Sequence, residues 1–503
     1  MRFSRLPHAV KPAALIVGAA LASALAYPAG AIGGAHQPYH GARLTAAAVA
    51  PSVFPGCAWP IETTPTTANV AAPDPYATYW LTPFLAQPTD SITITGPFPK
   101  SRFMSFAVYN DSFQLFANTV DGKSVPSDLS DYQINPDRGT TNPWRSGRTR
   151  KGQRFTIRLL PAVTAAQQRS ENAIPMIDQN PPASPSGPAG VGYVIFRTYI
   201  PAGGNTTVQL PAITITHGGR SITLPPCQGS GPSIHNGSAD AQAGPGTVLA
   251  RALSLLTRLR DDGVTMSCTS GCAAPQLQYF GPSADSQAGL FPNPVNGYLE
   301  MAFTPRPGYV VVTHGRAPTS PVNAGHGVPG NSIGAYPVSW VQPKFGVRYW
   351  SVANYLDQQP YPVVEVGRGS RAVFGGTPDY LTRLKHGYYT VVSSLPSDKP
   401  SAASLRAHAA TWIPMSASHA ATPEFQLLRN MLSQQALYPE GFVFIPPPAN
   451  PSDIIPPATV RQAMGAYYPQ TAQCPVATFE ARGWAGCLSA SSTHRKSSPK
   501  HRA

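Results

Sequence analysis

The chain repeats itself at long range, and no other feature of the sequence limits its fold so tightly. Arg102-Phe103-Met104-Ser105-Phe106-Ala107-Val108-Tyr109 is matched by Arg348-Tyr349-Trp350-Ser351-Val352-Ala353-Asn354-Tyr355. Arginine, an aromatic, a large apolar residue, serine, alanine and tyrosine recur in step. Upstream, Gly96-Pro97-Phe98-Pro99 matches Gly315-Arg316-Ala317-Pro318. Tyr79 precedes Gly96 by 17 residues, and Tyr298 precedes Gly315 by 17. Downstream, Tyr193-Val194-Ile195-Phe196-Arg197 echoes Phe425-Gln426-Leu427-Leu428-Arg429, and Phe155 to Pro161 is a looser match to Tyr389 to Pro396. An ordered set of matches points to a duplicated domain.

Each copy reads as strand. Ile92 and Ile94 alternate with Ser91, Thr93 and Thr95, the period of a half-buried strand. Phe103 to Tyr109, Gly192 to Ile200 and Ala212 to Thr216 continue the pattern. The second copy offers Tyr309 to Thr313, Val347 to Tyr355, Pro362 to Val366, Tyr388 to Ser393 and Phe425 to Leu428. Turn clusters separate these runs, and the chain carries 57 prolines and 44 glycines, too many for long helices. The expected class is mainly β: duplicated β-sandwich or jelly-roll-like domains with a few short helices.

The layout follows from the repeat. A signal peptide is expected over 1–26 and an N-terminal extension over 27–75. The first β domain spans 76–245, a connecting helix 246–262, and a disulfide loop or linker 263–290. The second β domain spans 291–473, and 474–503 is a C-terminal disulfide loop with a basic disordered tail. The connecting helix rests on Leu249, Ala252, Leu253, Leu256 and Leu259 at helical spacing, with Gly263 as its cap. A shorter helix is expected over Thr459 to Tyr467. The second copy also carries an insertion: Gly96 and Arg102 are 6 apart, Gly315 and Arg348 are 33 apart.

The N-terminus reads as an export signal. Arg2, Arg5 and Lys11 precede an apolar run from Pro12 to Ala26, which ends in Ala24-Leu25-Ala26, a small-x-small cleavage pattern. The expected location is secreted, extracellular or at the cell envelope, with no transmembrane segment after signal removal. The formal charge is +14; without those three basic residues it is +11, from 34 basic against 23 acidic residues. Part of the excess lies in the tail from His494 to Arg502, which suits an acidic envelope or matrix as well as a solvated end. No grooved nucleic-acid module is present, so no specific nucleic acid is expected. The six cysteines are even in number, which in an oxidising compartment argues for disulfides. Proximity pairs Cys268 with Cys272 and Cys474 with Cys487, leaving Cys57 with Cys227.

Chemical motifs are sparse. Gly330-Asn331-Ser332-Ile333-Gly334 has the letters of a serine-hydrolase elbow, but no strand precedes it and no helix follows, so a glycine turn is the plainer reading. The duplicated Arg102 and Arg348 could bind a carboxylate or planar ligand with their guanidinium forks, or could serve structural ion pairs. Together with Tyr109, Tyr355 and Trp340 they are the ligand-binding candidates. Arg197 and Arg429 also repeat, and could pair with Asp131 or Asp379 inside the domains. Asp111, Asp131, Asp357, Glu365 and Glu424 are a screening set for paired-carboxylate chemistry. The histidines are dispersed, and no metal or cofactor is expected.

These blocks resemble a group of poorly characterised secreted bacterial proteins, common in actinobacteria. The resemblance rests on Arg102 to Tyr109, on Leu129 to Trp144 with Asp131-Tyr132-Gln133-Ile134 and Asn142-Pro143-Trp144, and on Arg348 to Tyr355. Thr411-Trp412-Ile413-Pro414, with Phe425 to Leu432, is similar to the C-terminal β domain of a paired domain-of-unknown-function family. The resemblance implies the fold and carries over no catalytic residue. The leading expectation is a non-catalytic binding or structural protein, with a saccharide, lipid or envelope polymer as partner. The alternative is a secreted hydrolase acting from an interdomain cleft or beneath the Thr319 to Gln342 loop.

Overall fold

The computed structural model describes residues 53–67, 69–179, 191–227, 248–250, 277–281, 291–322, 336–340, 344–358, 361–367, 372–419, 422–434, 440–446 and 454–496. These belong to one compact unit, Ala48–Ala503. Strand dominates, in several sheets. The first half contains β1 (Ile61–Thr63), β2 (Ala77–Phe84), β3 (Ser91–Pro97), β4 (Ser101–Tyr109), β5 (Thr119–Val120), β6 (Lys123–Ser124), β7 (Asp128–Ser130), β8 (Arg154–Leu160), β9 (Ala173–Pro175), β10 (Gly192–Pro201), β11 (Ala212–His217) and β12 (Arg220–Thr223). The second contains β13 (Asn296–Phe303), β14 (Tyr309–Arg316), β15 (Val347–Leu356), β16 (Glu365–Val366), β17 (Val373–Phe374), β18 (Gly376–Pro378), β19 (Leu384–Lys385), β20 (Tyr388–Ser394), β21 (Thr411–Pro414), β22 (Glu424–Ser433) and β23 (Gln470–Pro475).

The repeat seen in the sequence recurs in the strand order. One sheet of the first half runs β1-β2-β10-β4-β7, and its counterpart runs β13-β22-β15-β18. The other runs β12-β11-β3-β8-β9, and its counterpart has β23-β14-β20 with β21 beside β20. Even the exception to antiparallel pairing is repeated, since β9 lies parallel to β8 and β21 parallel to β20. Each half also places a small hairpin, β5–β6 or β16–β17, between the strand that begins at its repeated arginine and the next strand of that sheet.

Period-two burial explains the placement. On β3, Ile92 and Ile94 are buried while Ser91, Thr93 and Thr95 are half-buried. The central strands β4, β10 and β15 are buried at every position, so both faces need apolar side chains. Met104, Phe106 and Val108 enter the core of the first half, which β3, β8 and β11 complete from the other sheet. Trp350, Val352 and Leu428 enter the core of the second. The remaining faces meet in a third cluster, with Phe103 and Tyr199 from one half and Tyr349 and Met431 from the other. The ring pair Tyr199–Tyr349, 5.3 Å between centroids, crosses this join.

Cys57–Cys227 and Cys474–Cys487 are disulfides, as proximity and elimination suggested. Cys268 and Cys272, the Gly330 to Gly334 turn and the signal segment lie outside the described residues. So does most of the connecting helix, of which Val248, Leu249 and Ala250 are described as helical. The expected short helix is present as Pro457–Met464 followed by a 3-10 turn, Gly465–Tyr467. The expectation of a loop after Cys474 needs correction, because Val476–Lys496 is helical, broken at Gly483. Phe479 and Cys487 from this segment are buried against Val310, Val312 and Ala472, so a narrow apolar stripe holds the helix on the sheet. Among the described residues no helix is long and apolar enough to cross a membrane.

Candidate ligand site at the join of the two halves

Arg102 and Arg348 are fully buried, and each lies across the join from its own carboxylate partner. Arg102 Nη1 donates to Asp379 Oδ2 at 2.6 Å, and Arg348 Nη1 donates to Asp131 Oδ2 at 2.7 Å. Arg348 Nη1 also reaches the Arg102 carbonyl at 3.3 Å, and Arg102 Nη1 the Arg348 carbonyl at 3.5 Å. Asp131 follows β7 and Asp379 follows β18, so the two pairs are equivalent by the repeat and crossed between halves. Burial raises the Asp131 pKa to about 6, while the Arg348 charge and the Met104 and Tyr132 backbone N–H groups pull it down. Trp340 lies over the Arg348 guanidinium at 4.8 Å and donates its backbone N–H to the Trp144 carbonyl at 2.8 Å. The pairing of Arg197 or Arg429 with Asp131 or Asp379, expected inside each domain, is replaced by these crossed pairs, because the faces bearing the aspartates meet at the join.

Arg197 and Arg429 occupy a different place. Arg197 sits on β10 directly between Tyr79 of β2 and Ser105 of β4. Arg429 sits on β22 directly between Tyr298 of β13 and Ser351 of β15. Each donates to the tyrosine that ends the repeated motif: Arg197 Nη2 to Tyr109 Oη at 2.6 Å, and Arg429 Nη1 to Tyr355 Oη at 2.5 Å. Each tyrosine in turn donates to a proline carbonyl of the opposite half, Tyr109 to Pro292 at 2.6 Å and Tyr355 to Pro73 at 2.9 Å. Pro292 and Pro73 stand six residues before Tyr298 and Tyr79 respectively. The residues before them, Phe291 and Ala72, both have positive φ, and each donates its N–H across the join to another positive-φ residue, Phe113 or Tyr361. Burial pushes the Tyr109 hydroxyl up to about 12 against the lowering effect of Arg197, so it stays a neutral donor.

Between these two clusters lies a cavity of about 120 Å³. Arg197, Arg429, Tyr79 and Tyr298 line it, with Asn293 and Glu300. Leu81, Ile195, Phe425 and Leu427 give it apolar walls. Both arginines are almost fully buried. Among the described residues no carboxylate lies within ion-pair distance of either. Tyr109 and Tyr355, two of the sequence candidates, hold the arginines at this cavity; Arg102, Arg348 and Trp340 do not border it.

The two arginines differ in what surrounds them. Burial pulls both pKa values down, and neighbouring groups carry the net direction upward. For Arg429 those groups include the Asp74 carboxylate. Asp74 accepts from Tyr349 Oη at 2.9 Å and from Ser351 Oγ at 2.9 Å. The position equivalent to Asp74 is Asn293, five residues before Tyr298 as Asp74 is five before Tyr79. Phe103 and Ser105 stand where Tyr349 and Ser351 stand. Among the described residues, Asn293 Nδ2, Ser105 Oγ, and Arg197 Nε and Nη1 are buried without hydrogen-bond partners. Asp128 feels the Arg197 charge at a distance, yet burial still raises its pKa to about 6.

A second hollow, about 600 Å³, lies on the second half between β14, β20 and the C-terminal helix. There His314 is stacked between Trp484 at 4.0 Å and Tyr388 at 5.4 Å. Sequence reading missed this stack, since Trp484 comes from a segment expected as loop. Of the screened acids, Glu424 is fully buried, accepts from Ser416 N at 2.7 Å and has its pKa raised to about 8 by burial. Among the described residues no group of three or more potential metal ligands is gathered together.

The molecule is thus a strand-dominated protein of two equivalent halves around a buried, cation-lined cavity. No protein-family model matches the chain, and no curated protein matches it. Two solved structures are similar over much of its length. An uncharacterised protein from Burkholderia cenocepacia is 11% identical, with 83% of this chain and 81% of that one covered and a TM-score of 0.42. The VPA0106 protein from Vibrio parahaemolyticus is 10% identical, with 74% of this chain and 88% of that one covered and a TM-score of 0.32.

Proposed function

We propose that this is an exported binding protein of the cell envelope or its surroundings, built from two fused β-sandwich-like halves and related to the paired all-β proteins its sequence resembles. Its ligand occupies the cavity at the join. One observation carries the reading: equivalent strands of both halves bring a buried guanidinium to one apolar-walled space, and no carboxylate of the described residues pairs with either. Burying a charge without an ion partner costs several kcal/mol, roughly, and such groups are retained where something binds them.

The test is native mass spectrometry of the protein purified from its own secreting cells. The expected result is a bound small molecule that departs on denaturation and is absent from Leu427→Trp, which fills the cavity. Equal native and denatured masses, with no saccharide, lipid or envelope fragment raising the melting temperature, would contradict the reading. N-terminal sequencing of the same material is expected to begin after Ala26.

The hydrolase reading has one feature in its favour: burial pushes the Glu424 carboxyl up to about 8, a range that suits a general acid. Glu424 does not border the cavity. Loss of a hydrolytic activity in Glu424→Gln, with folding intact, would favour that reading over binding.

A further inference from the structure

We infer that the cavity holds the carboxylate of a small organic monoanion against Arg197 and Asn293, rather than against Arg429. This deepens the binding reading and rests on it. Donor inventory chooses the side. Arg429 places Nη1 on Tyr355 and Nη2 on the Ala72 carbonyl at 2.6 Å, and has Asp74 in its neighbourhood. Among the described residues Arg197 has one hydrogen bond, to Tyr109, and its Nε and Nη1 are buried without partners. Asn293 lines the same space, and its Nδ2 is a third donor without a partner among the described residues. Where the second guanidinium has the Asp74 carboxylate, the equivalent position beside the first is the neutral Asn293 amide, and Asp128, the acid that feels Arg197, has its own pKa raised to about 6 by burial. A bound carboxylate supplies both the missing charge and the missing acceptors.

The cavity also sets the rest of the ligand. A dry cavity of about 150 Å³ holds a benzene-sized body, so about 120 Å³ suits a buried portion of about five heavy atoms, the carboxylate and the first carbons of its tail. Leu81, Ile195 and Leu427 favour an apolar tail. Arg429 Nη1 and Nη2 are already placed on Tyr355 and the Ala72 carbonyl, so a second negative charge on the ligand would find no matching pair of donors across the space. The ligand class is therefore a short aliphatic or aromatic monocarboxylate, in preference to a dicarboxylate or a neutral sugar.

Calorimetry with the full secreted chain tests this, using hexanoate and benzoate, their primary amides as neutral matches, and adipate as a dianion. Wild type is expected to bind the monocarboxylates about tenfold or more tighter than the amides, the scale of one or two charge-assisted hydrogen bonds. Asn293→Asp gives Arg197 the kind of counter-charge that Asp74 gives Arg429, and is expected to abolish that preference while the protein melts no lower than wild type. Arg197→Met should do the same, and if it fails to fold, Asn293→Asp decides alone. Amides binding as tightly as carboxylates would overturn the inference and leave the cavity a binding site. Carboxylate binding unchanged in Asn293→Asp would overturn the assignment to Arg197. No binding of any probe to wild type, with the Leu427→Trp variant also indistinguishable in native mass, would overturn both readings.

Discussion

The two halves share a strand order, an exceptional parallel pair, an arginine between a tyrosine and a serine, and a tyrosine that reaches a proline carbonyl across the join. They differ where the cavity lies. Asp74, with Tyr349 and Ser351 donating to it, completes the surroundings of Arg429; Asn293, Phe103 and Ser105 stand in the corresponding places beside Arg197. Interlocked groups tolerate little change, because breaking one bond strands its buried partner. Both sides border the cavity, and among the described residues the donors left unpaired are on the Arg197 side. That contrast locates a site more sharply than the depth of the cavity does.

The largest difference expected between the halves is in their crosslinks. Cys57–Cys227 closes a separation of 170 residues and Cys474–Cys487 one of 13. In the loop-entropy model their removal costs about 5 and about 3 kcal/mol respectively, to be read from chemical denaturation of the paired serine variants. Equal losses would show that the first half is not held chiefly by its long link.

The crossed ion pairs should be equal to each other. Asp131→Ala and Asp379→Ala each leave a buried arginine without its carboxylate, and each is expected to cost about 3–5 kcal/mol in denaturant midpoint analysis. A cost in one half only would break the equivalence of the pairs. Asp74→Asn should cost less, about 1–3 kcal/mol, through weakened bonds from Tyr349 and Ser351. Asn293→Asp should cost nothing or stabilise, since it adds a counter-charge beside Arg197.

The smallest effect is a slope with pH. Asp128 of β7 pairs with Ala107, where the second half has Gly376 opposite Ala353. Its pKa is raised from 3.8 to about 6, chiefly by burial. The folded chain therefore holds a proton that the unfolded chain releases above about pH 4. Its contribution is fully present below that pH and is lost as pH rises through about 6. Melting curves between pH 4 and 7 should show a shallower decline in Asp128→Asn than in wild type, and an unchanged slope would remove Asp128 from the account.

Much of this comparison was legible in the sequence. The matched motifs gave the correct register of β4 with β15 and β10 with β22, because alternating burial preserves side-chain order within a strand. The same motifs singled out Arg102 and Arg348, which form the crossed ion pairs at the join. Equivalence between residues does not reveal that their partners are exchanged across an interface, so the crossed pairs were out of reach. The Asp74 and Asn293 contrast was within reach. Pro73-Asp74-Pro75 and Pro292-Asn293-Pro294 stand at the same distance before Tyr79 and Tyr298, and following the repeat upstream of the tyrosines finds them. The C-terminal helix was hidden by its glycines and short apolar stripe, which only contact with β14 and β23 makes sufficient.

The most direct test of the central claim is a crystal structure of the mature protein soaked with benzoate. The account predicts planar carboxylate density against Arg197 and Asn293, continuous with that of the ring, and no equivalent density at Arg429. A carboxylate at Arg429, or an Arg197 whose free nitrogens are satisfied by water alone at saturating benzoate, would contradict it.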